Sequence, residues 1–201
     1  MNEQEILGEF EAAEAILKGH FILSSGLHSD TYLQCARVLM NPKRADKLCA
    51  ELARRVESQI TNRQSRIDLV VAPAMGGVVV GYEMGRQLGV ETIFCERENG
   101  EFTLRRGFTI HKGANILLVE DVVTTGRSSL EAVECIKAHG GKVIAEASLI
   151  DRSSGESKNL PFPLISLLAL NVITFNADKI PTHLASIPAI KPGSRWLQKN
   201  G

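Results

Sequence analysis

The chain has 201 residues, enough for one sizeable α/β core. Hydrophobic residues make up 44% and charged residues 23%, the proportions of an ordinary globular protein. Lys plus Arg balances Asp plus Glu at 23 each, which removes any global field for nucleic acid or an acidic membrane while leaving room for a local polyanion site.

No apolar run approaches the roughly 20 residues that span a bilayer. The opening MNEQEILGEFEAAEAILKG has neither the basic start nor the apolar stretch of a signal peptide, so the expected compartment is the cytoplasm. Cys35, Cys49, Cys95 and Cys135 are scattered without zinc spacing and read as buried, reduced thiols. The histidines form no H-E-x-x-H cluster, and no metal held by protein side chains alone is expected.

In chain order, about Glu3 to Lys18 has helical spacing, with Gly19 closing the helix. Phe21–Leu23 and Thr31–Gln34 read as short strands around a Ser24-Ser25-Gly26 turn. Asn41-Pro42 is an N-cap followed by proline at the first helical position, predicting a helix to about Gln59. Ile67–Ala72 is a short apolar strand, Pro73–Gly77 a break, and Val78–Leu88 a helix. Gly77, Gly81 and Gly85 recur every four residues; Gly81 and Gly85 are read as close packing on the sheet. Glu91–Cys95 is another strand, and Arg97–Gly113 is a polar, glycine-punctuated stretch with room for one hairpin. Ile116–Val119 is a third apolar run, Arg127–His139 a helix, Lys142–Ile150 a fourth strand and Leu164–Leu170 a fifth.

Unbroken apolar strands alternating with amphipathic helices predict an α/β fold: a parallel sheet flanked by helices, in a single domain over residues 1–201. Such sheets bind ligands at the carboxyl ends of their strands, which nominates the residues after Ala72, Cys95, Val119 and Ile150.

The strongest motif is Ile116–Ser129, ILLVEDVVTTGRSS. Strand ILLV leads to Glu120 and Asp121, and Gly126 permits the bend into a helix whose first amides point outward. With the hydroxyls of Thr124, Thr125 and Ser128 this makes a phosphate cup. Two carboxylates would repel a lone phosphate, but they suit a ligand that also presents ribose hydroxyls. A Walker A loop and a G-x-G-x-x-G motif are both absent.

VEDVVTTG resembles the phosphoribosyl-pyrophosphate (PRPP) signature of the type I phosphoribosyltransferases. Together with SSGLHSDTYLQ, APAMGG, ERENGEFTLRRGF, LIDR and KPGSR, the chain resembles the orotate phosphoribosyltransferases over nearly its full length. The resemblance implies transfer of 5-phosphoribosyl from PRPP to orotate, giving orotidine 5′-monophosphate and pyrophosphate in pyrimidine synthesis, with Mg²⁺ held mainly by PRPP and water. It implies a small N-terminal hood formed by about residues 1–40 with a C-terminal contribution. It also implies a homodimer in which loop 97–113 completes the neighbouring site, with neither nucleic acid nor membrane as partner.

By the same resemblance, Glu120 and Asp121 hold the ribose hydroxyls and act in catalysis. Val122, Val123, Thr124, Thr125, Gly126, Arg127 and Ser128 cradle the 5′-phosphate, while Met75, Gly76 and Arg97 attend the pyrophosphate. Ser24, Tyr32, Thr124 and Arg152 form the orotate site, the guanidinium gripping an anionic pyrimidine. Many relatives carry a lysine where Ser24 stands, and lysines in the loop that here reads RENGEFTLRRG. Arg105 and Arg106 are the expected substitutes, stabilising the leaving pyrophosphate by charge because arginine does not titrate near neutrality, with His111 as a candidate for proton transfer. Two other functions fit the same motif: transfer to another base, or a PRPP-sensing regulator.

Overall fold

The structure is a computed structural model, described here for residues 1–23, 25–60, 66–153, 155 and 159–192. Its centre is a six-stranded sheet built from β3 (Leu69–Pro73), β4 (Glu91–Glu98), β5 (Glu101–Leu104), β6 (Asn115–Val123), β7 (Lys142–Asp151) and β8 (Leu164–Ala169), in the order β5-β4-β3-β6-β7-β8. All neighbours are parallel except β5, which returns antiparallel from β4 through Asn99-Gly100. A hairpin was expected within 97–113; its turn and second strand lie there, but its first strand is β4, which runs on past Cys95 to Glu98.

Helix α3 (Pro42–Gln59) and helix α4 (Gly76–Leu88) cover one face, where Leu48, Leu52, Val70, Leu117, Ala147 and Leu149 form the larger core. Helix α5 (Arg127–Ala138) covers the other, over Val71, Ile93, Ile116 and Leu118. Burial on both faces explains the unbroken apolar runs: every residue of β3 is buried. The cap expected at Asn41 is present, its side chain accepting hydrogen bonds from the Lys43 and Arg44 amides.

Helix α1 is shorter than expected, Glu3–Ala12. Glu14 turns to φ +49 and Ala15 is fully buried, so the chain enters β1 (Ile16–Ile22), and Gly19 lies inside a strand rather than closing a helix. β1 pairs antiparallel with β2 (His28–Leu33), which pairs with the two-residue β9 (Thr174–Phe175). Ile190 extends the small sheet by exchanging backbone hydrogen bonds with His20 and Ile22. The short helices α2 (Cys35–Leu39) and α6 (Thr182–Ala185) and strand β9 have no counterpart in the sequence reading, being too short to show a period.

Candidate active site at the carboxyl end of the central strands

Strand β6 supplies the acids. Ile116–Val119 are fully buried, and the strand continues through Glu120 and Asp121 instead of ending at Val119 as expected. Its partner β7 is long enough to stay in register to Val123↔Asp151. The two acids are thereby fixed by the sheet ladder and not by a loop.

After Val123 the chain rises through exposed Thr124 and Thr125 to Gly126, which sits at φ +73 as the N-cap of α5. Gly126 offers no side-chain cap, and apart from a long 3.4 Å bond from the Arg127 amide to Thr125 Oγ1 the helix start is left to the cup formed with Thr124, Thr125 and exposed Ser128. A Cβ at Gly126 would lie 3.0 Å from the Leu160 side chain, a second reason for glycine there.

The opposite wall follows β3. The Ala74–Met75 peptide is cis, the Ala74 amide donates to the Cys95 carbonyl at 2.8 Å, and Met75 stands exposed. A Cβ on Gly76 would approach Asp121 Oδ1 to 2.7 Å, and one on Gly77 would come within 2.8 Å of the Val119 carbonyl. The backbone of the β3–α4 turn therefore lies directly against the acids. Gly81 and Gly85 serve packing as read, their missing Cβ atoms leaving room for Ala72 and Thr92.

Burial dominates the electrostatics here. It holds the Glu120 carboxyl well above the usual carboxylate range, reinforced by Asp121 and then Glu146. It also raises Asp121, against the Val122 amide that donates to Asp121 Oδ1 at 2.9 Å. Both carboxyls keep some solvent exposure, but most of their surroundings are protein.

Arg152 closes β7, its amide donating to the Val123 carbonyl at 2.8 Å. Its Nε is buried and has no hydrogen-bond partner among the described residues. Burial pushes the guanidinium below its ordinary pKa, with Tyr32 next in influence and opposing. Tyr32, on β2 against the Phe21 ring at 5.7 Å, is itself raised by burial and then by Asp121. The small sheet thus brings Tyr32 to the strand ends carrying Asp121 and Arg152. Ser24 lies outside the described residues.

The loop arginines are engaged elsewhere. Arg97 lies 4.1 Å from the Phe102 ring centroid, donates to the Gly100 carbonyl at 2.6 Å and pairs with Glu131. Glu131 also accepts from Arg127 Nε at 2.8 Å, so one carboxylate ties the hairpin to the cup helix. Arg106 makes two 2.9 Å bonds to Glu96, and Arg105 lies 3.8 Å from Glu98. Within one chain neither Arg105 nor Arg106 pairs with Glu120 or Asp121. Glu131, Ser129 and Glu146 were missed from sequence. For Glu131 a signal existed, its place four residues after Arg127 on a helix; for Glu146 the signal was a lone acid inside the apolar run read as a buried strand.

The phosphoribosyl transferase domain family matches residues 39–161. Orotate phosphoribosyltransferases of Sphingopyxis alaskensis and Erythrobacter litoralis are 56% and 55% identical over 195 residues, covering 97% of this chain and 98% and 99% of theirs. Among solved structures, the orotate phosphoribosyltransferase of Aeropyrum pernix superposes with a TM-score of 0.67 at 23% identity, covering 82% of this chain and 93% of that one. The adenine phosphoribosyltransferase of Saccharomyces cerevisiae reaches 0.65 at 17% identity, covering 82% and 99%. The fold is therefore common to enzymes named for different bases, and only the sequence relatives separate them.

Proposed function

This chain belongs to the orotate phosphoribosyltransferase family, and we propose that its site transfers 5-phosphoribosyl from PRPP to N1 of orotate, forming the N1–C1′ bond as the bond to pyrophosphate breaks. The cup of Thr124–Ser128 takes the 5′-phosphate on amides and hydroxyls, the role that an uncapped helix start suits. Glu120 and Asp121 accept hydrogen bonds from the ribose hydroxyls, and their charge favours the cationic ribose of the transition state. The backbone of Met75 and Gly76, lying on Asp121, receives the pyrophosphate beside it.

The observation that carries the choice of base is Arg152. A buried guanidinium with an unpartnered Nε, beside Tyr32, is stabilised by an anionic planar ring that accepts its hydrogen bonds. Adenine offers no such anion. The base then sits between Tyr32 and Arg152, beside Thr124.

Among the described residues no group of three His, Cys, Asp or Glu side chains could hold a metal ion. The carboxyls of Glu120 and Asp121, which form no ion pair among the described residues and whose charge burial disfavours, would be eased by a cation such as Mg²⁺ carried in by PRPP oxygens and water. When bound, the ion neutralises the departing pyrophosphate. Arg97, Arg105 and Arg106 add positive charge to that leaving group, with loop 97–113 acting in a partner's site within a homodimer. The reading places the enzyme in the cytoplasm, with residues 1–40 and the C-terminal segment forming the hood over the base.

The test is depletion of orotate absorbance with PRPP and Mg²⁺, run beside a panel of purine and pyrimidine bases. Turnover with orotate is expected; PRPP consumption with a purine alone overturns the choice of base.

A further inference from the structure

Glu146 is an acid in the wrong place for an ordinary strand. It lies in β7, paired in register with Leu118 of β6 and Leu164 of β8, and is completely buried. Its backbone amide donates to the Pro163 carbonyl at 2.9 Å. No cation pairs with its carboxyl among the described residues, and Oε2 has no hydrogen-bond partner. Such a group costs stability at a site where an aliphatic side chain would fit the core without that cost.

One contact gives it a use. Ser129 Oγ donates to Glu146 Oε1 at 2.7 Å, and Ser129 is itself buried. Ser129 is the third residue of α5, directly after the cup residues Thr124–Ser128. Gly126 at φ +73 has no side chain to cap α5, and the first-turn Arg127 amide has only a long 3.4 Å bond to Thr125 Oγ1, so the Ser129–Glu146 bond is the buried side-chain hydrogen bond that ties this turn to the sheet. The Ser129–Glu146 bond spans from that first turn to the floor of the sheet, two register positions from Glu120.

We propose that Glu146 is a positioning residue for the phosphoribosyl site, seating the first turn of α5 through Ser129 so that the cup amides converge on the 5′-phosphate of PRPP. The inference rests on the cup being a PRPP site, but not on the identity of the base. It is therefore tested with PRPP alone, by calorimetric titration of the full-length protein with PRPP and Mg²⁺, with thermal melting as a control for folding.

Ser129→Ala and Glu146→Leu are each expected to weaken PRPP binding by about 5- to 10-fold, the worth of one buried hydrogen bond. The double variant is expected to be no weaker than the worse single one, because both break the same bond. Glu146→Gln keeps an acceptor for Ser129 and is expected to bind within about twofold of the parent, while Ser129→Ala, which leaves the packing of Glu146 in place, separates the hydrogen bond from a mere packing role. PRPP affinity unchanged in Ser129→Ala, or Glu146→Gln as weak as Glu146→Leu, overturns the proposal. If Glu146→Leu does not fold, Ser129→Ala and Glu146→Gln decide alone. Failure of orotate turnover with normal PRPP binding strikes the base assignment and leaves this proposal standing.

Discussion

At the scale of single residues, the site is defined by acids whose surroundings oppose their charge. Asp121 lies under the Gly76 backbone and is pushed up by burial, so its negative charge is costly in the free protein, a cost that the proposed cationic ribose would offset. Asp121→Asn preserves the shape and removes the charge; kcat should fall by about 10²-fold, and steady-state turnover unchanged within error refutes the role. On the proposed mechanism Glu120 and Asp121 act ionised and both have raised pKa values, so kcat/KM should decline on acidification at a pH above the ordinary carboxylate range of about 4. Glu146 makes a separate, thermodynamic statement. Burial raises its carboxyl to about 7, Asp151 adds to the rise and the Ser129 bond opposes it. The folded chain therefore holds a proton that the unfolded chain releases from about pH 4.5. Its contribution to stability is present at low pH and is lost as pH rises through about 7, amounting to about 3 kcal/mol. Glu146→Gln should lack this component, so the stability gap between parent and variant, followed by urea unfolding at several pH values, should shift in the variant's favour as pH rises.

At the scale of elements, helix α4 shows how glycine spacing becomes geometry. Gly81 and Gly85 face β3 and β4, and a methyl at Gly85 would collide with the Thr92 hydroxyl and come within 2.9 Å of the Val90 carbonyl. Gly85→Ala should cost about 1–3 kcal/mol by forcing the helix off the sheet; chemical denaturation with no loss of stability would show the packing to be looser than described. That role was legible, because a four-residue glycine period on an amphipathic helix has one cheap explanation. So were α3, announced by Asn41-Pro42, and the buried strands β3, β6 and β7, whose apolar runs have no other use. The small sheet was less legible. Ile16–Ile22 interrupts its apolar pattern with Lys18, Gly19 and His20, and what makes it a strand is pairing with β2, a partner that local periodicity does not reveal. β9 and Ile190 join that sheet from about 150 residues downstream, through backbone bonds that carry almost no side-chain signature. The strand–loop–helix around Gly126 was legible, yet the acids were placed beyond the strand because adjacent carboxylates after an apolar run read as the start of a loop, whereas β6 stays paired with β7 as far as Val123↔Asp151.

At the scale of the whole molecule, what matters is where the hairpin β4–β5 lies relative to the proposed site. The hairpin ends the sheet on the far side of β3 from the acids of β6. Its arginines are spent locally, Arg106 on Glu96 and Arg105 near Glu98, and Arg106 also lies 5.5 Å from the Phe94 ring centroid. These are exposed pairs, worth little individually and readily exchanged for a polyanion. A chain that keeps its catalytic acids in one place and its loop cations in another can complete the site by borrowing the loop of a second copy. Such borrowing makes a sharp prediction. Asp121→Asn lacks the ribose charge, and a variant carrying Arg105→Ala with Arg106→Ala lacks the loop charge; each alone should turn over poorly. If the loop acts across a twofold dimer, mixing the two under conditions that exchange subunits should restore activity, because half the dimers are hybrids and each hybrid has one site with both native parts. The recovered rate should approach roughly a quarter of the parent's per site. If each loop serves its own chain, no arrangement of subunits unites native acids with native arginines, and the mixture should show only the mean of its two inactive components.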